Sequence, residues 1–236
     1  MSIELSKAKI KYINSLSHKK YRDQEGIFIA EGPKLVSELE PYFQLVEKYD
    51  GESVNKVSLL DTPQQVLALF RKREEAQHVP ADDELCIALS DIQNPGNLGT
   101  IVRLADWYGI EHIICSRGCA DIYNPKTVQA TMGAMARVHV HYCDLATYFA
   151  SLPEGYPIYG TFLNGDNIYS SPLTHGGIII MGNEGHGIPD DIERFVNHRL
   201  YIPNYPVGRP TTQSLNVAIA TAITCSEFRR TSLCLE

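Results

Sequence analysis

Amide and carboxylate side chains gather beside glycines at three separated places in this chain. They are N-P-G-N-L-G-T-I-V-R at Asn94 to Arg103, M-G-N-E-G-H-G at Met181 to Gly187, and Y-I-P…S-L-N from Tyr201 to Asn216. Each follows an apolar run that reads as a strand, and the first and third open a helix pattern. Exposed backbone N–H groups and flexible glycines at strand ends suit a small polar ligand, which open α/β sheets hold beyond the carboxyl ends of their strands. Pro95 and Gly96 set a turn, and Asn97 sits where its side chain can cap the helix that follows. Arg103 lies six residues on, with apolar neighbours at 101, 102, 104 and 105. Its planar fork suits a phosphate or a ribose; the plainer reading is a stem that packs while the head reaches water. Ionised Glu184 only accepts hydrogen bonds, so hydroxyl or amine partners fit it. Ser214 is a natural N-cap for the last helix, with Asn216 in its first turn.

Other chemistries fit less well. The second stretch reads G-x-x-G-x-G, not the dinucleotide order G-x-G-x-x-G, and the chain has no phosphate-loop G-K-[ST], which counts against a nicotinamide dehydrogenase. It also has no G-x-S-x-G elbow for a serine hydrolase. Cys115 and Cys119 are spaced for zinc but lack a second pair, and His139 and His141 alternate along a strand and read as solvent-facing, so no metal is expected. Six cysteines, at 86, 115, 119, 143, 225 and 234, form no C-x-x-C, which implies free thiols in a reducing cytoplasm. No apolar run reaches membrane-span length and the N-terminus has no signal-peptide core, so a soluble cytoplasmic protein is expected.

The elements that position these stretches follow from hydropathy. At 236 residues the chain can bury one sizeable core plus a smaller module. A charged segment, R-K-R-E-E-A-Q-H-V-P-A-D-D-E at 71 to 84, reads as a linker or an exposed helix end and divides the chain into 1–78 and 84–236. Before it, G-I-F-I-A-E-G predicts a strand, P-K-L-V-S-E-L a helix, and D-T-P a second helix carrying Val66, Leu67, Leu69 and Phe70. After it come L-C-I-A-L-S, a helix from Leu98 stopped by Gly109, H-I-I-C-S, a helix capped by Asn124 and Pro125, R-V-H-V-H-Y, D-L-A-T-Y-F-A-S-L, P-I-Y-G-T-F-L, G-I-I-I-M-G, R-L-Y-I-P and a helix from Ser214 to about Arg230. Strands separated by helices predict a largely parallel sheet covered on both faces. Net charge is −7, yet residues 1 to 22 hold Lys7, Lys9, Lys11, Lys19, Lys20 and Arg22 against Glu4 alone, with Tyr12, His18 and Tyr21 interleaved. That is the footprint of a nucleic-acid contact or, equally, a solvated helix face.

In order and spacing the motifs resemble those of the SpoU (TrmH-like) family of SPOUT RNA methyltransferases, most tightly from residue 90 to 225. Asn97 and Arg103 match the asparagine and arginine of the family's first motif. Gly182, Glu184 and Gly185 match its glycine–x–glutamate–glycine, and Ser214, Leu215 and Asn216 its S-L-N. G-T-F-L-N-G at 160 to 165, N-P-K at 124 to 126 and F-I-A-E-G at 28 to 32 are also family-like. The resemblance implies a trefoil-knotted α/β methyltransferase domain preceded by a small L30e-like RNA-binding domain. It implies S-adenosylmethionine held near Thr161, Gly182, Glu184, Ile202 and Leu215. Asn97, Arg103, Glu184, Ser214 and Asn216 form the implied catalytic set, acting on a ribose 2′-hydroxyl of ribosomal or transfer RNA in a homodimer. A catalytically inactive RNA-binding protein on the same fold is the alternative. The loop N-Y-P-V-G-R-P-T-T-Q at Asn204 to Gln213 is longer than the family's. On this reading RNA contacts fall to the N-terminal basic residues and Arg103, and removal of residues 1 to about 80 is expected to leave a folded, cofactor-binding dimer.

Overall fold

In the computed structural model, which describes residues 5–206, 209–210, 212 and 214–233, two short helices open the chain. Helix α1 (Lys7–Ser15) is capped by Ser6, whose side chain accepts from Lys9 N at 3.2 Å, and α2 (Lys19–Glu25) ends at Gly26 in the left-handed region. Strand β1 (Ile27–Glu31), helix α3 (Pro33–Leu39), β2 (Leu45–Asp50) and β3 (Val66–Arg71) follow. They form an antiparallel sheet of order β1-β3-β2.

The segment expected as a second helix after Asp61–Pro63 is therefore the central strand β3. Leu67 and Leu69 face a core built with Ile13 and Leu16, whereas Ala68 and Phe70 face the core that holds Phe28. A strand apolar on both faces shows no alternation, so a helix-start signal in front of it misleads. Val57 is buried after a 3₁₀ turn at Gly51–Lys56. Glu31, buried at the end of β1, accepts from Ser58 Oγ at 2.7 Å and Gln64 N at 2.8 Å, and so holds the loop that leads into β3.

The second sheet is built from β4 (Leu85–Leu89), β5 (His112–Ser116), β6 (His139–Cys143), β7 (Ile158–Asn167), β8 (Gly177–Met181) and β9 (His198–Tyr201). Its order is β6-β5-β4-β8-β7-β9, and every pairing is parallel. The helices between them are α4 (Pro95–Trp107), α5 (Pro125–Thr131), α6 (Leu145–Ala150) and α7 (Asp190–Glu193), with α8 (Val217–Leu233) last. Strands β4 and β8, at the centre, are buried along their whole length. Asn124 caps α5 through Lys126 N with Pro125 at its first position, as the sequence predicts.

One core runs through both sheets. Phe28, Leu35, Val36, Leu39, Phe43 and Phe70 pack in the same cluster as Ile101, Tyr123, Val128 and Met135, and the Phe28 and Tyr123 rings are 4.9 Å apart. Arg22 is not an RNA contact: it is 1% exposed and donates to Asp121 at 2.7 Å and to the carbonyls of Leu16 and Ser17 at 2.9 and 2.8 Å. Its charge is satisfied inside the protein. Segment 71–84 is neither helical nor loose. Arg73 N donates to Tyr123 Oη at 2.9 Å and its guanidinium to Ala136 O at 3.0 Å. The shared core also counts against removing residues 1 to about 80 without exposing apolar surface.

Among the described residues no helix is long and apolar enough to cross a membrane. The five described cysteines are free thiols, and Cys234 lies outside the described residues.

Candidate active site

The turn after β4 is fixed by a side-chain clasp. Asp91 stands in the left-handed region, Ser116 Oγ donates to its Oδ1 at 2.6 Å, and its own N–H donates to Ser116 Oγ at 2.9 Å. From there the chain enters α4, and Asn94 is its N-cap, accepting from Gly96 N at 2.8 Å and Asn97 N at 3.2 Å. The capping role expected of Asn97 thus belongs to Asn94. Asn97 is left on the first turn with its side chain available, and it uses both ends of its amide. Nδ2 donates to Glu184, and Oδ1 accepts from Asn216 Nδ2 at 3.2 Å.

Glu184 sits on a loop closed by its own backbone. Asn183 and Gly187 exchange N–H···O bonds of 3.0 and 2.8 Å, and Gly187 takes a left-handed φ of 72°. Asn183 Oδ1 accepts from the N–H groups of Gly185 and His186 at 2.8 and 3.3 Å, while its Nδ2 donates to Asp91 O at 2.8 Å. A Cβ at Gly182 would lie 2.4 Å from Gly187 C and 2.5 Å from Ile188 N. The glycine is required by the loop itself, rather than only by a ligand passing close to it.

Asn216 links the third stretch. Its Oδ1 accepts from Ala218 N at 3.0 Å and Ile219 N at 3.4 Å, so it takes the cap role expected of Ser214, and α8 begins at Val217 rather than at Ser214. Ser214 is exposed, two residues before it. In the Asn204–Gln213 loop, Asn204 Nδ2 donates to Arg209 O at 2.7 Å, and positions 207, 208, 211 and 213 lie outside the described residues.

The three stretches therefore meet through one amide. Asn97, Glu184 and Asn216 are brought together; Gly182 and Ile202 directly follow strands β8 and β9, and Thr161 lies within the neighbouring β7, one residue past its pairing with β8; Leu215, 47% exposed, adjoins Asn216. Arg103 is not brought into the cluster. It is exposed, about 9 Å further along α4 than Asn97, and makes no hydrogen bond or ion pair with any described residue. The positioning residues Asn94, Asn183, Asp91 and Ser116 escaped the sequence reading. An asparagine three residues ahead of a second asparagine, and one between glycines, were the available signals.

This arrangement can orient a polar ligand between a carboxylate and two amides. It also makes a substitution test. Asn97→Asp would turn a donor toward Glu184 into an acceptor, setting two carboxylates against each other. It should lower turnover on the order of 10²-fold by misplacing the cluster, with melting unchanged because the site is at the surface. Steady-state kinetics beside a thermal melt checks this; full turnover would show that the Asn97–Glu184 bond is idle.

Comparison with known proteins agrees with the geometry. The model of the SpoU rRNA Methylase family matches residues 84–226, and the MRM3-like substrate binding domain matches residues 7–49. The 23S rRNA (guanosine(2553)-2′-O)-methyltransferase RlmP of Bacillus subtilis is 31% identical over 205 residues, covering 86% of this chain and 79% of its own. A TrmH-family protein from Porphyromonas gingivalis is 38% identical with a TM-score of 0.85, over 97% of this chain and 100% of its own. An AdoMet-bound rRNA methyltransferase from Sinorhizobium meliloti is 26% identical with a TM-score of 0.85, over 98% and 97% of the two chains. The strand-end loops converge on one asparagine where the family model and these relatives match, and the chain belongs to the SpoU rRNA methylase family.

Proposed function

We infer that the protein transfers a methyl group from S-adenosylmethionine to a ribose 2′-hydroxyl of ribosomal RNA. The observation that carries this reading is the convergence of three strand-end loops on Asn97, in a chain similar over most of its length to an enzyme named for that reaction. Half-buried Thr161, Gly182 and Ile202, within β7 and directly after the adjoining β8 and β9, fit a cofactor held by main-chain groups. When bound, S-adenosylmethionine would supply an activated methyl for the ribose oxygen, whose proton would pass to water. Asn97, Glu184 and Asn216 orient that oxygen, and much of the rate comes from holding it in line. A guanidinium offers donors and no acceptor, so Arg103 anchors phosphate or stabilises developing negative charge rather than accepting the proton.

An arginine with no partner among the described residues suits an active site completed by a second copy. Trp107 at the end of α4 is 83% exposed, and Ile219 on α8, which packs against α4, is 53% exposed. Both favour a homodimer that uses this helix pair. The same reading places a trefoil knot in the 84–236 domain, an L30e-like substrate-binding domain at 1–78, and the enzyme in the cytoplasm.

Lys7, Lys11 and Lys20 are exposed, whereas Lys9 is bound to Glu47 at 2.5 Å and Lys19 to Asp23 at 3.0 Å. The first three are thus the ones offered to RNA. Replacing them with glutamine should flatten the salt dependence of RNA binding by about 0.7 to 0.9 of a log–log unit per lost phosphate contact. An unchanged slope would reduce them to a solvated face. The reaction itself is tested by incubating the protein with S-adenosylmethionine and unmodified ribosomal RNA, then digesting to nucleosides for mass spectrometry. One 2′-O-methyl nucleoside is expected; a base-methylated product in its place would overturn the reading.

A further inference from the structure

Four histidines lie together on the face of the parallel sheet remote from the Asn97 cluster, and the methyltransferase reading leaves them unused. His112 opens β5 and His139 opens β6, where they are register partners, and His141 is two residues along β6 on the same face. The fourth, His78, comes from the segment that joins the two sheets, about thirty residues earlier in the chain. The His78 and His112 rings stack at 3.5 Å, and His141 is 5.2 Å from His112 and 5.6 Å from His78. His139 and His141, expected at the solvent-facing surface, are half-buried and buried.

The hydrogen bonds around these rings decide which nitrogens hold lone pairs. His141 Nδ1 is 2.8 Å from Ala76 O; a carbonyl only accepts, so Nδ1 carries the proton and Nε2 is left as a lone pair. His78 Nε2 is 2.8 Å from Glu84 Oε1, which leaves its Nδ1. His112 Nδ1 is 3.0 Å from His141 Nε2, and the Nε2 of His112 faces the same Glu84 oxygen at 3.9 Å. Two nitrogens bound to one tetrahedral zinc stand about 3.3 Å apart, so the 3.0 Å separation needs only a small opening to admit an ion. A ligand atom from each of His78, His112 and His141 lies within 4.8 Å of those from the other two.

We propose that His78, His112 and His141 bind a divalent transition-metal ion, zinc above all, that clips the joint between the two modules to the edge of the parallel sheet. Three imidazoles suit zinc and leave a fourth position for water. The carbonyl of Ala76 and the carboxylate of Glu84 are the outer partners that metal-bound histidines use to fix their tautomers. Cys86 donates to the same Glu84 oxygen at 3.3 Å and helps to hold it. His139 is outside the set. Its Nδ1 is 3.0 Å from both oxygens of Glu75, and the Arg73 guanidinium, 3.4 Å away, would repel a cation.

The test uses the full-length chain, stripped with a chelator and titrated with zinc chloride by calorimetry, and with cobalt(II) followed by its visible absorption. One zinc per chain is expected, with the intense bands of tetrahedral cobalt. The melting temperature should rise by about 5 °C or more at a hundred-fold excess over the dissociation constant. His78→Ala lies in an irregular segment and should keep the metal-free melting temperature while weakening zinc by at least about ten-fold. His141→Gln should do the same to the affinity, and His139→Gln should leave it unchanged. Absence of zinc binding at about 100 μM, far above the affinity of a three-histidine site, would overturn the proposal. So would binding that His78→Ala and His141→Gln both leave intact, since the ion would then sit elsewhere.

Discussion

Arg103→Ala should lower the methylation rate by about 10²–10³-fold, the usual cost of removing one group that meets developing charge, while S-adenosylmethionine affinity stays within a few-fold. The expectation rests on the exposure of Arg103 and on its having no partner among the described residues. Its head is exposed on α4 and bonded to no described residue, so removing it breaks nothing that holds the fold. On the proposed reading this long cation, unpaired among the described residues, meets the RNA. Arg103→Lys should recover little of the loss, because a point charge cannot grip two oxygens at once. Single-turnover kinetics and calorimetry on the same preparations would separate the two effects. Loss of cofactor binding in a folded Arg103→Ala protein would assign the residue to the cofactor instead.

Gly182→Ala should weaken S-adenosylmethionine binding by on the order of 10²-fold and destabilise the protein by about 1–3 kcal/mol, as overpacking does. The φ of Gly182 is one that any residue adopts, so the effect is contact alone. The added carbon would stand 2.4, 2.5 and 2.6 Å from Gly187 C, Ile188 N and Gly187 O, all backbone atoms that have no side-chain rotation to escape by. Relief requires the Asn183–Gly187 pair to open, which carries Glu184 away from Asn97. Binding and stability should thus fall together, whereas a glycine needed only for ligand clearance would lose binding alone. Calorimetric titration paired with urea unfolding reads both. Wild-type stability beside lost binding would mean that the loop already yields at this point.

The parts of the fold legible in the sequence are those decided locally. Leu85–Leu89 and Gly177–Met181 are unbroken apolar runs because both their faces are covered, and Asn124–Pro125 carries its cap in two adjacent residues. Residues 66 to 71 were misread because their two apolar faces belong to different cores, which no local pattern reveals. Asn94 and Asn97 are both able to cap α4. Only the position of Glu184, some ninety residues away, shows that the second is spared for another purpose. Arg22 looks like its basic neighbours until Asp121 is placed beside it. The histidines illustrate the same limit: alternation along β6 suggests a wet face, and the segment that covers it lies sixty residues upstream.

The core shared by Phe28, Phe43, Phe70, Tyr123 and Met135 has a mechanical meaning for an enzyme of this family. A module on a flexible tether samples many distances from the active site and tolerates substrates of many shapes. Here residues of both sheets share one core, so the two parts of the chain are packed against each other and not tethered. On the proposed reading, in which the exposed lysines of α1 and α2 meet the RNA, their distance from the Asn97 cluster is a fixed length, and the protein works as a calliper. Adjustment falls to the RNA, whose own shape must span the jaws before its ribose can arrive.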